Sequence, residues 1–200
     1  MKKLIFTLAM TLTSVAVIAQ NGAGTFSLQP RVGMNISTLT DADKAIVDLC
    51  FGVEAEYMLA RRLSLAGGLM FSNQGAKYNG NPHYTADLDY INVPIVANFY
   101  VVPGLAIKAG VQPGFKIKAK AKMDDGTIDL QERYHSVSTL VGEDLVIRTF
   151  DLAIPVGASY EYKNITLDAR YNWGLVRVTN IGSIFYNRVF ELTLGYKFAL

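Results

Sequence analysis

The sequence has very little of the chemistry that catalytic and metal sites use. Its 200 residues include one cysteine and two histidines. Cys50 therefore has no partner for a disulfide bond within the chain, and no cysteine and histidine cluster has metal-ligand spacing. A glycine-rich phosphate-binding loop is also missing. These absences predict that the protein needs no metal and no cofactor, and that it is not an enzyme.

Long apolar runs are lacking beyond the N-terminus, so no transmembrane helix is expected in the mature chain. The first 19 residues resemble a secretory signal peptide: Lys2 and Lys3 precede an apolar segment over 4–18, and a small residue, Ala19, precedes Gln20. We predict cleavage near Ala19/Gln20 and a single domain over 20–200. The alternative is an uncleaved membrane anchor, for which the apolar run is short.

An excess of charge of one sign is lacking too. The chain has 19 Lys and Arg against 17 Asp and Glu. The predicted signal peptide contains two of the lysines and no acid, so the mature chain has no formal net charge. This balance gives no reason to expect a nucleic-acid partner.

The sequence does contain alternation of apolar and polar residues, which predicts β-strands with one face of each kind. Tight turns separate the second strand from the third, the fourth from the fifth and the sixth from the seventh, and longer polar segments make the other connections. The turns lie at 60–62, 102–104 and 162–164, and the longer connections at 38–46, 78–87, 119–148 and 174–187. The eight predicted strands lie at 26–37, 47–59, 63–77, 88–101, 105–118, 151–161, 165–173 and 188–200.

This regular pattern predicts the fold class. An even number of strands with short periplasmic turns and longer external loops is typical of outer-membrane barrels. The sequence therefore predicts an all-β protein, an eight-stranded antiparallel up-and-down transmembrane β-barrel, after a cleaved signal peptide. A soluble lipocalin-like barrel would alternate as well, but its interior would be the apolar face.

The content of the polar face favours the transmembrane alternative. It has charges of both signs among many small residues, which suits a narrow interior where ions are paired. Aromatic residues near strand ends, such as Tyr57, Trp173 and Tyr196, agree with membrane girdles. The predicted charge network of the lumen consists of Arg31, Glu54, Glu56, Lys108, Asp168, Arg170, Glu191 and Lys197.

Four motifs, in order along the chain, resemble a known family. They are RVGMNIS over 31–37, YINVP over 90–94, LDARYNWGL over 167–175 and the C-terminal segment 187–198. The sequence is similar to the PorT-family outer-membrane β-barrel proteins of Bacteroidetes over about residues 24–198. That resemblance implies an eight-stranded outer-membrane barrel, and its founding member is tied to type IX protein secretion. Members usually stop at the terminal aromatic residue, whereas this chain continues with Ala199 and Leu200.

A basic run near the predicted barrel mouth is a candidate binding surface. Strict alternation would place Lys116, Lys118, Lys120 and Lys122 on one side of a strand. There they could contact lipopolysaccharide phosphates, or pair with acids of neighbouring strands. The connection over 119–148 is the longest, and long loops on a rigid scaffold often bind partners.

Two further motifs carry weaker alternatives. His135 and Ser136, with Glu132 and Asp144 nearby, suggest a hydrolase, but adjacent Ser and His residues rarely form a catalytic hydrogen bond. Acidic residues at 41–43 and 124–129 could offer oxygens to calcium, but both segments fall short of the EF-hand pattern. Turn-forming aspartates explain them equally well.

The sequence thus predicts a non-enzymatic outer-membrane barrel with a packed polar lumen and external loops. Its role is structural or binding, with an accessory role in protein secretion as one form of it. The expected partners are outer-membrane lipid, lipopolysaccharide, an envelope protein, and the barrel-assembly machinery through the C-terminal strand. The alternatives are a small pore, a soluble lipocalin-like periplasmic barrel and an outer-membrane hydrolase.

Overall fold

The computed structural model describes residues 22–39, 44–78, 84–123, 126–129, 149–177 and 186–200. Within these ranges no helix is long and apolar enough to cross a membrane. The described residues form eleven strands: β1 (Phe26–Leu39), β2 (Lys44–Ala60), β3 (Leu63–Tyr78), β4 (Tyr84–Asn92), β5 (Ile95–Val102), β6 (Leu105–Met123), β7 (Gly126–Asp129), β8 (Phe150–Tyr162), β9 (Ile165–Arg177), β10 (Tyr186–Tyr196) and β11 (Phe198–Ala199).

These strands build a closed antiparallel barrel. β1 pairs with β2 on one side and with β10 and β11 on the other. β4 and β5 occupy one position in the wall, as do β10 and β11, while β7 pairs only with β6 beyond the wall. The barrel wall therefore has eight strand positions in the described part of the chain, which confirms the predicted eight-stranded antiparallel barrel.

The predicted strand over 88–101 is interrupted in the structure. β4 ends at Asn92 and β5 begins at Ile95. Pro94 lacks a backbone N–H and cannot donate to a ladder. Instead, Val93 N–H donates to the Pro113 carbonyl at 2.8 Å, and the Pro94 carbonyl accepts from Gly68 N–H at 3.1 Å. The wall stays closed across the break because these bonds replace the regular ladder.

The register fixes the inclination of the strands. Following paired residues once around the wall from Phe26 leads back to β1 at Ile36, ten residues further on. Ten residues around eight strands correspond to a tilt of about 40°, with residues ~3.3 Å and strands ~4.8 Å apart. The paired residues are, in order, Phe26, Tyr57, Leu65, Ala97, Ala109, Val156, Tyr171, Phe190 and Ile36.

The three predicted tight turns all lie at one end of the barrel, here called the turn end. They connect β2 to β3, β5 to β6, and β8 to β9. Gly104 has a φ of 81°, a left-handed conformation that glycine adopts without strain, and Lys163 has a φ of 56° in the corresponding turn. The opposite end, the loop end, carries the longer connections, whose segments 40–43, 79–83, 124–125, 130–148 and 178–185 lie outside the described residues.

The two faces of the wall have opposite exposure. Outward side chains such as Val32 and Leu194 are 54% and 53% exposed, whereas inward Arg170 and Glu54 are 1% and 2% exposed. This is the reverse of a soluble barrel, in which the apolar face fills the interior. Phe26 to Ile36 on β1 covers about 25 Å along the barrel axis at a ~40° tilt, which matches the apolar band of outer-membrane barrels.

Glycine at position 33 allows the first and last wall strands to approach closely. A Cβ atom at Gly33 would overlap the Leu192 carbonyl oxygen on β10 and lie 2.6 Å from the Thr193 Cα. We expect Gly33→Ala to lower the free energy of unfolding by about 1 to 3 kcal/mol, because backbone must move. Urea unfolding in lipid vesicles measures the change.

Gly67 on β3 provides the matched control for this substitution. A Cβ there would meet only the Pro94 carbonyl oxygen, at 3.8 Å. Gly67→Ala should therefore change the free energy of unfolding by no more than about 0.5 kcal/mol. Equal effects at the two glycines would contradict the close approach of β1 and β10.

Candidate functional site

The middle of the barrel interior holds a network of ion pairs between distant strands. We call Arg31, Glu54, Lys108, Asp168 and Arg170 the central network. Arg170 donates two hydrogen bonds to Glu54, from Nη1 to Oε1 at 2.5 Å and from Nη2 to Oε2 at 2.8 Å. Its Nε lies 2.7 Å from Asp168 Oδ1. Such a two-pronged arginine–carboxylate pair fixes geometry as well as charge.

The other two cations complete the central network from β1 and β6. Arg31 contacts Glu54 through Nη1, and its Nη2 lies 2.8 Å from Asp168 Oδ2. Lys108 donates from Nζ to the same Asp168 oxygen. Glu191 is buried on β10 directly opposite Arg170 in register, so this part of the interior holds three basic and three acidic side chains. Buried ions need such compensation, because an unpaired charge in the interior is strongly unfavourable.

A second group of ions closes the lumen near the turn end. We call Glu56, Tyr100, Glu161 and Lys197 the basal cluster. Lys197 Nζ lies 2.8 Å from Glu56 Oε2 and also pairs with Glu161. Glu56 Oε1 accepts hydrogen bonds from Tyr100 Oη at 2.8 Å and Ser64 Oγ at 2.5 Å. The basal cluster therefore ties the last strand position to β2, β5 and β8.

A third, more weakly charged layer lies towards the loop end. Asn187 Nδ2 donates to Asp151 Oδ2 at 2.8 Å and to Tyr90 Oη at 3.2 Å. A void beside Asp151 and Asn187 measures about 10 Å³. A volume of that size has room for about one water molecule. Three successive polar layers thus fill the described interior.

The structure brings all eight predicted lumen residues into the interior, but it separates them. Arg31, Glu54, Lys108, Asp168 and Arg170 form the central network, with Glu191 beside it. Glu56 and Lys197 belong to the basal cluster. Four interior residues, Tyr90, Tyr100, Asp151 and Glu161, were not among the predicted site residues. The alternation assigns all four to the inner face, but it does not show which inward residues meet.

The prediction that four lysines share one side is wrong for Lys116. A register shift between Asp89 and Tyr90 on β4 places a bulge opposite them in β6. Lys116 is consequently buried inside the barrel, whereas the Lys118 side chain is 52% exposed on the outside and pairs with Asp89 at 3.5 Å. The alternative of pairing with neighbouring acids thus describes Lys118. Lys120 is partly exposed, and the side chain of Lys122 lies outside the described residues.

The remaining sequence candidates fall outside the described part of the chain. These are the signal peptide at 1–19, the acids at 41–43, 124 and 125, and the hydrolase candidates His135, Ser136, Glu132 and Asp144. Asp129 ends β7, but its side chain is not described. Among the described residues, no three acids, histidines or cysteines are grouped as metal ligands. The interior arrangement can therefore hold strands together and block passage, since the ion pairs of the central network and of the basal cluster cross it.

Comparison with known proteins agrees with this architecture. A family model for the outer membrane protein beta-barrel domain matches residues 18–180. The chain is similar in structure to the attachment invasion locus protein Ail of Yersinia pestis, crystallised with the heparin analogue sucrose octasulfate. The TM-score is 0.53 at 15% identity, over 88% of this chain and 99% of that one.

Neisserial surface protein A is a second similar structure. Its TM-score is 0.50 at 14% identity, over 86% of this chain and 97% of that one. At such identities the likeness concerns the fold alone. No curated protein sequence matches the chain.

Proposed function

This chain belongs to the outer membrane protein beta-barrel domain family, and from that premise we propose that it is a closed barrel which acts by binding at its external surface. The observation that carries this proposal is the central network. Its ion pairs span the lumen from β1, β2, β6 and β9. A solute on the barrel axis would have to separate them.

The energetics favour a closed lumen over a small pore. An eight-stranded barrel is just wide enough for side chains to fill. Removing one partner of a buried ion pair costs about 3 to 5 kcal/mol, since the other charge stays buried. The central network contains several such contacts, and the basal cluster repeats the arrangement nearer the turn end. Opening a path therefore requires breaking two charged layers, in addition to the polar layer at the loop end.

The membrane orientation follows from the two ends of the barrel. Short turns are periplasmic in outer-membrane barrels and long loops are external. The turn end would then face the periplasm, and the connection over 119–148 would leave the barrel outside the cell. We propose this connection as the first segment to examine for recognition of an envelope partner, because long loops on rigid scaffolds commonly carry binding residues.

Finer assignments complete the proposal. Motifs at 31–37, 90–94, 167–175 and 187–198 support membership of the PorT branch in Bacteroidetes. We also propose that a signal peptide is cleaved near Ala19/Gln20.

The C-terminal strand pairs with β1 along the closing seam. We propose it as the segment that the barrel-assembly machinery recognises. A deletion strain assayed for type IX secretion and for envelope integrity separates an accessory secretion role from a general envelope role.

A planar bilayer containing the purified protein is expected to show no current steps above the lipid background. The physical reason is that the central network and the basal cluster block the axis. A general porin in the same bilayer serves as the positive control. Reproducible conductance steps would overturn the closed-lumen proposal in favour of the pore alternative, and recovery in the soluble periplasmic fraction without detergent would overturn the membrane assignment.

A further inference from the structure

The outer face of β3, β4 and β6 changes from apolar to polar at one level. Phe71, Ile91 and Phe115 are cross-strand neighbours on these strands and point outwards. The row continues in both directions with aromatic contacts: the Phe51 and Phe71 rings lie 5.1 Å apart, and the Phe115 and Phe150 rings 5.7 Å. Aromatic residues of this kind mark the boundary of the hydrocarbon layer in outer-membrane barrels.

Polar or charged side chains face outwards on all three strands towards the loop end. Asn73 follows Phe71 and Asp89 precedes Ile91, whereas on β6 the exposed Ile117 comes between Phe115 and Lys118. Asn73 Nδ2 donates to Asp89 Oδ1 at 2.6 Å, and Lys118 Nζ lies 3.5 Å from Asp89 Oδ2. Asp87 and Lys120 are register partners one step higher. A mixed-charge patch therefore sits directly above the apolar band, at the level of lipid headgroups.

The bulge in β6 creates this patch. The register shift between Asp89 and Tyr90 places Lys118 on the outside, while the next residue, Ala119, is buried inside. With regular alternation Lys118 would share the inner face with Lys116. The local irregularity thus moves one ammonium group from the lumen to the membrane surface.

A cleft accompanies the patch where the wall opens slightly. The ladder between β2 and β3 is interrupted from Ala45 to Cys50. Gln74 is an inner-face residue, 5% exposed, that lines both this cleft and the interior void, and its Oε1 has no hydrogen-bond partner among the described residues. This cleft, here called the rim cleft, measures about 280 Å³. The residues that line it are Asp48, Leu49, Asn73, Gln74, Asp87, Asp89, Lys118 and Lys120.

The chemistry of the rim cleft selects among ligands. Ammonium groups of Lys118 and Lys120 attract phosphate and disfavour a metal cation, whereas the three carboxylates of Asp48, Asp87 and Asp89 disfavour a bare phosphate. Carboxylate and amide oxygens accept hydrogen bonds from hydroxyl groups. The suitable ligand therefore carries both a phosphate and several hydroxyls. Ligand pockets usually measure about 300 to 1,000 Å³, so this cleft accommodates a headgroup rather than a whole lipid.

We propose that the rim cleft binds the phosphorylated sugar headgroup of an outer-leaflet glycolipid, whose acyl chains lie against the row of Phe71, Ile91 and Phe115. The proposal rests on the proposed function, because it requires the loop end to lie at the outer surface. Lys118 and Lys120 contact the phosphate. Asn73, Asp87 and Asp89 exchange or accept hydrogen bonds with the sugar hydroxyls.

The test is a titration of lipid A, a phosphorylated glucosamine disaccharide lipid, into phosphatidylcholine nanodiscs that contain the protein, with bound lipid counted by native mass spectrometry. The double variant Lys118→Gln/Lys120→Gln is expected to bind lipid A at least tenfold more weakly than the unchanged protein. The matched control Arg61→Gln/Lys163→Gln removes two exposed charges at the turn end and is expected to bind as the unchanged protein does. Equal affinity of the two variants would overturn the proposal.

Two further ligands distinguish the source of the headgroup. Phosphatidylglycerol, which has a phosphate without a sugar ring, should bind at least tenfold more weakly than lipid A. Glucosamine 1-phosphate, which has no acyl chains, should compete only at much higher concentration than lipid A. Equal binding of phosphatidylglycerol would overturn recognition of the sugar, and equal binding of glucosamine 1-phosphate would overturn the lipid as its source.

The same preparations separate this inference from the proposed function. Absent binding of lipid A by a barrel that conducts no current would refute the rim cleft alone. Conductance in bilayers would refute the closed lumen, whereas the lipid titration would still test whether the rim cleft binds lipid A. Heat-modifiable gel migration of each variant shows whether it is folded.

Discussion

Replacing Glu54 with alanine is expected to lower the free energy of unfolding by about 3 to 5 kcal/mol. Glu54 is the carboxylate shared by Arg31 and Arg170 in the central network. Its removal leaves two guanidinium groups buried with only Asp168 and the neighbouring Glu191 to balance them and Lys108. Trp173 is the single tryptophan of the chain, so its fluorescence can follow urea unfolding in lipid vesicles.

A partly exposed ion pair supplies the control for this substitution. Asp89 pairs with Lys118 at the outer rim, where the lysine side chain is 52% exposed and the aspartate side chain 14%. Asp89→Ala should cost about 1 kcal/mol or less, because water screens the charges that remain. If Glu54→Ala were no more destabilising than Asp89→Ala, the central network would not be the feature that holds the barrel interior together.

Replacing Leu194 with arginine is expected to cost about 2 to 4 kcal/mol, the penalty for a cation at the bilayer midplane on the lipid face. Leu194 points outwards from β10, is 53% exposed, and lies about halfway up the apolar band. The same urea titration measures the change, since unfolding transfers the arginine from lipid to water.

A residue nearer the membrane interface provides the control for this second substitution. Leu200 lies at the turn end, beyond β11, and is 77% exposed. Leu200→Arg should cost no more than about 1 kcal/mol, because arginine near the interface reaches water. Similar values for Leu194→Arg and Leu200→Arg would contradict a lipid environment around the outer face, and would favour the soluble barrel that the sequence left as an alternative.

Alternation along the strands predicts which face each residue occupies, and this part of the structure was accessible from the sequence. Glu54 and Arg170 were assigned to the interior because each lies between apolar residues in a strand pattern. The contact between Glu54 and Arg170 could not be predicted, because the alternation does not give the height of a residue along the barrel axis. Height depends on the ten-residue shift around the wall, which requires the register of every strand pair.

Local irregularities and height along the barrel account for the features that alternation does not predict. The bulge in β6 places Lys116 and Lys118 on opposite faces of the wall, although the sequence alternates without a break there. Glu191 and Lys197 share one parity, yet they lie in different layers because six positions along the strand separate them. Strand patterning contains no signal for the bulge, so the face of Lys116 was predicted incorrectly, and parity alone did not separate the basal cluster from the central network.

The long sequence separation within the central network has a consequence for how the barrel forms. Glu54 and Arg170 are 116 positions apart, and they meet only after β9 has joined the wall. Until then their charges stay hydrated, since a partial sheet inserted in lipid would carry unpaired ions along its inner face. Half-assembled barrels are therefore unstable in the membrane, and insertion should proceed together with closure of the seam between the first and last strands. Because the ion pairs form only in the closed barrel, they stabilise complete barrels over fragments.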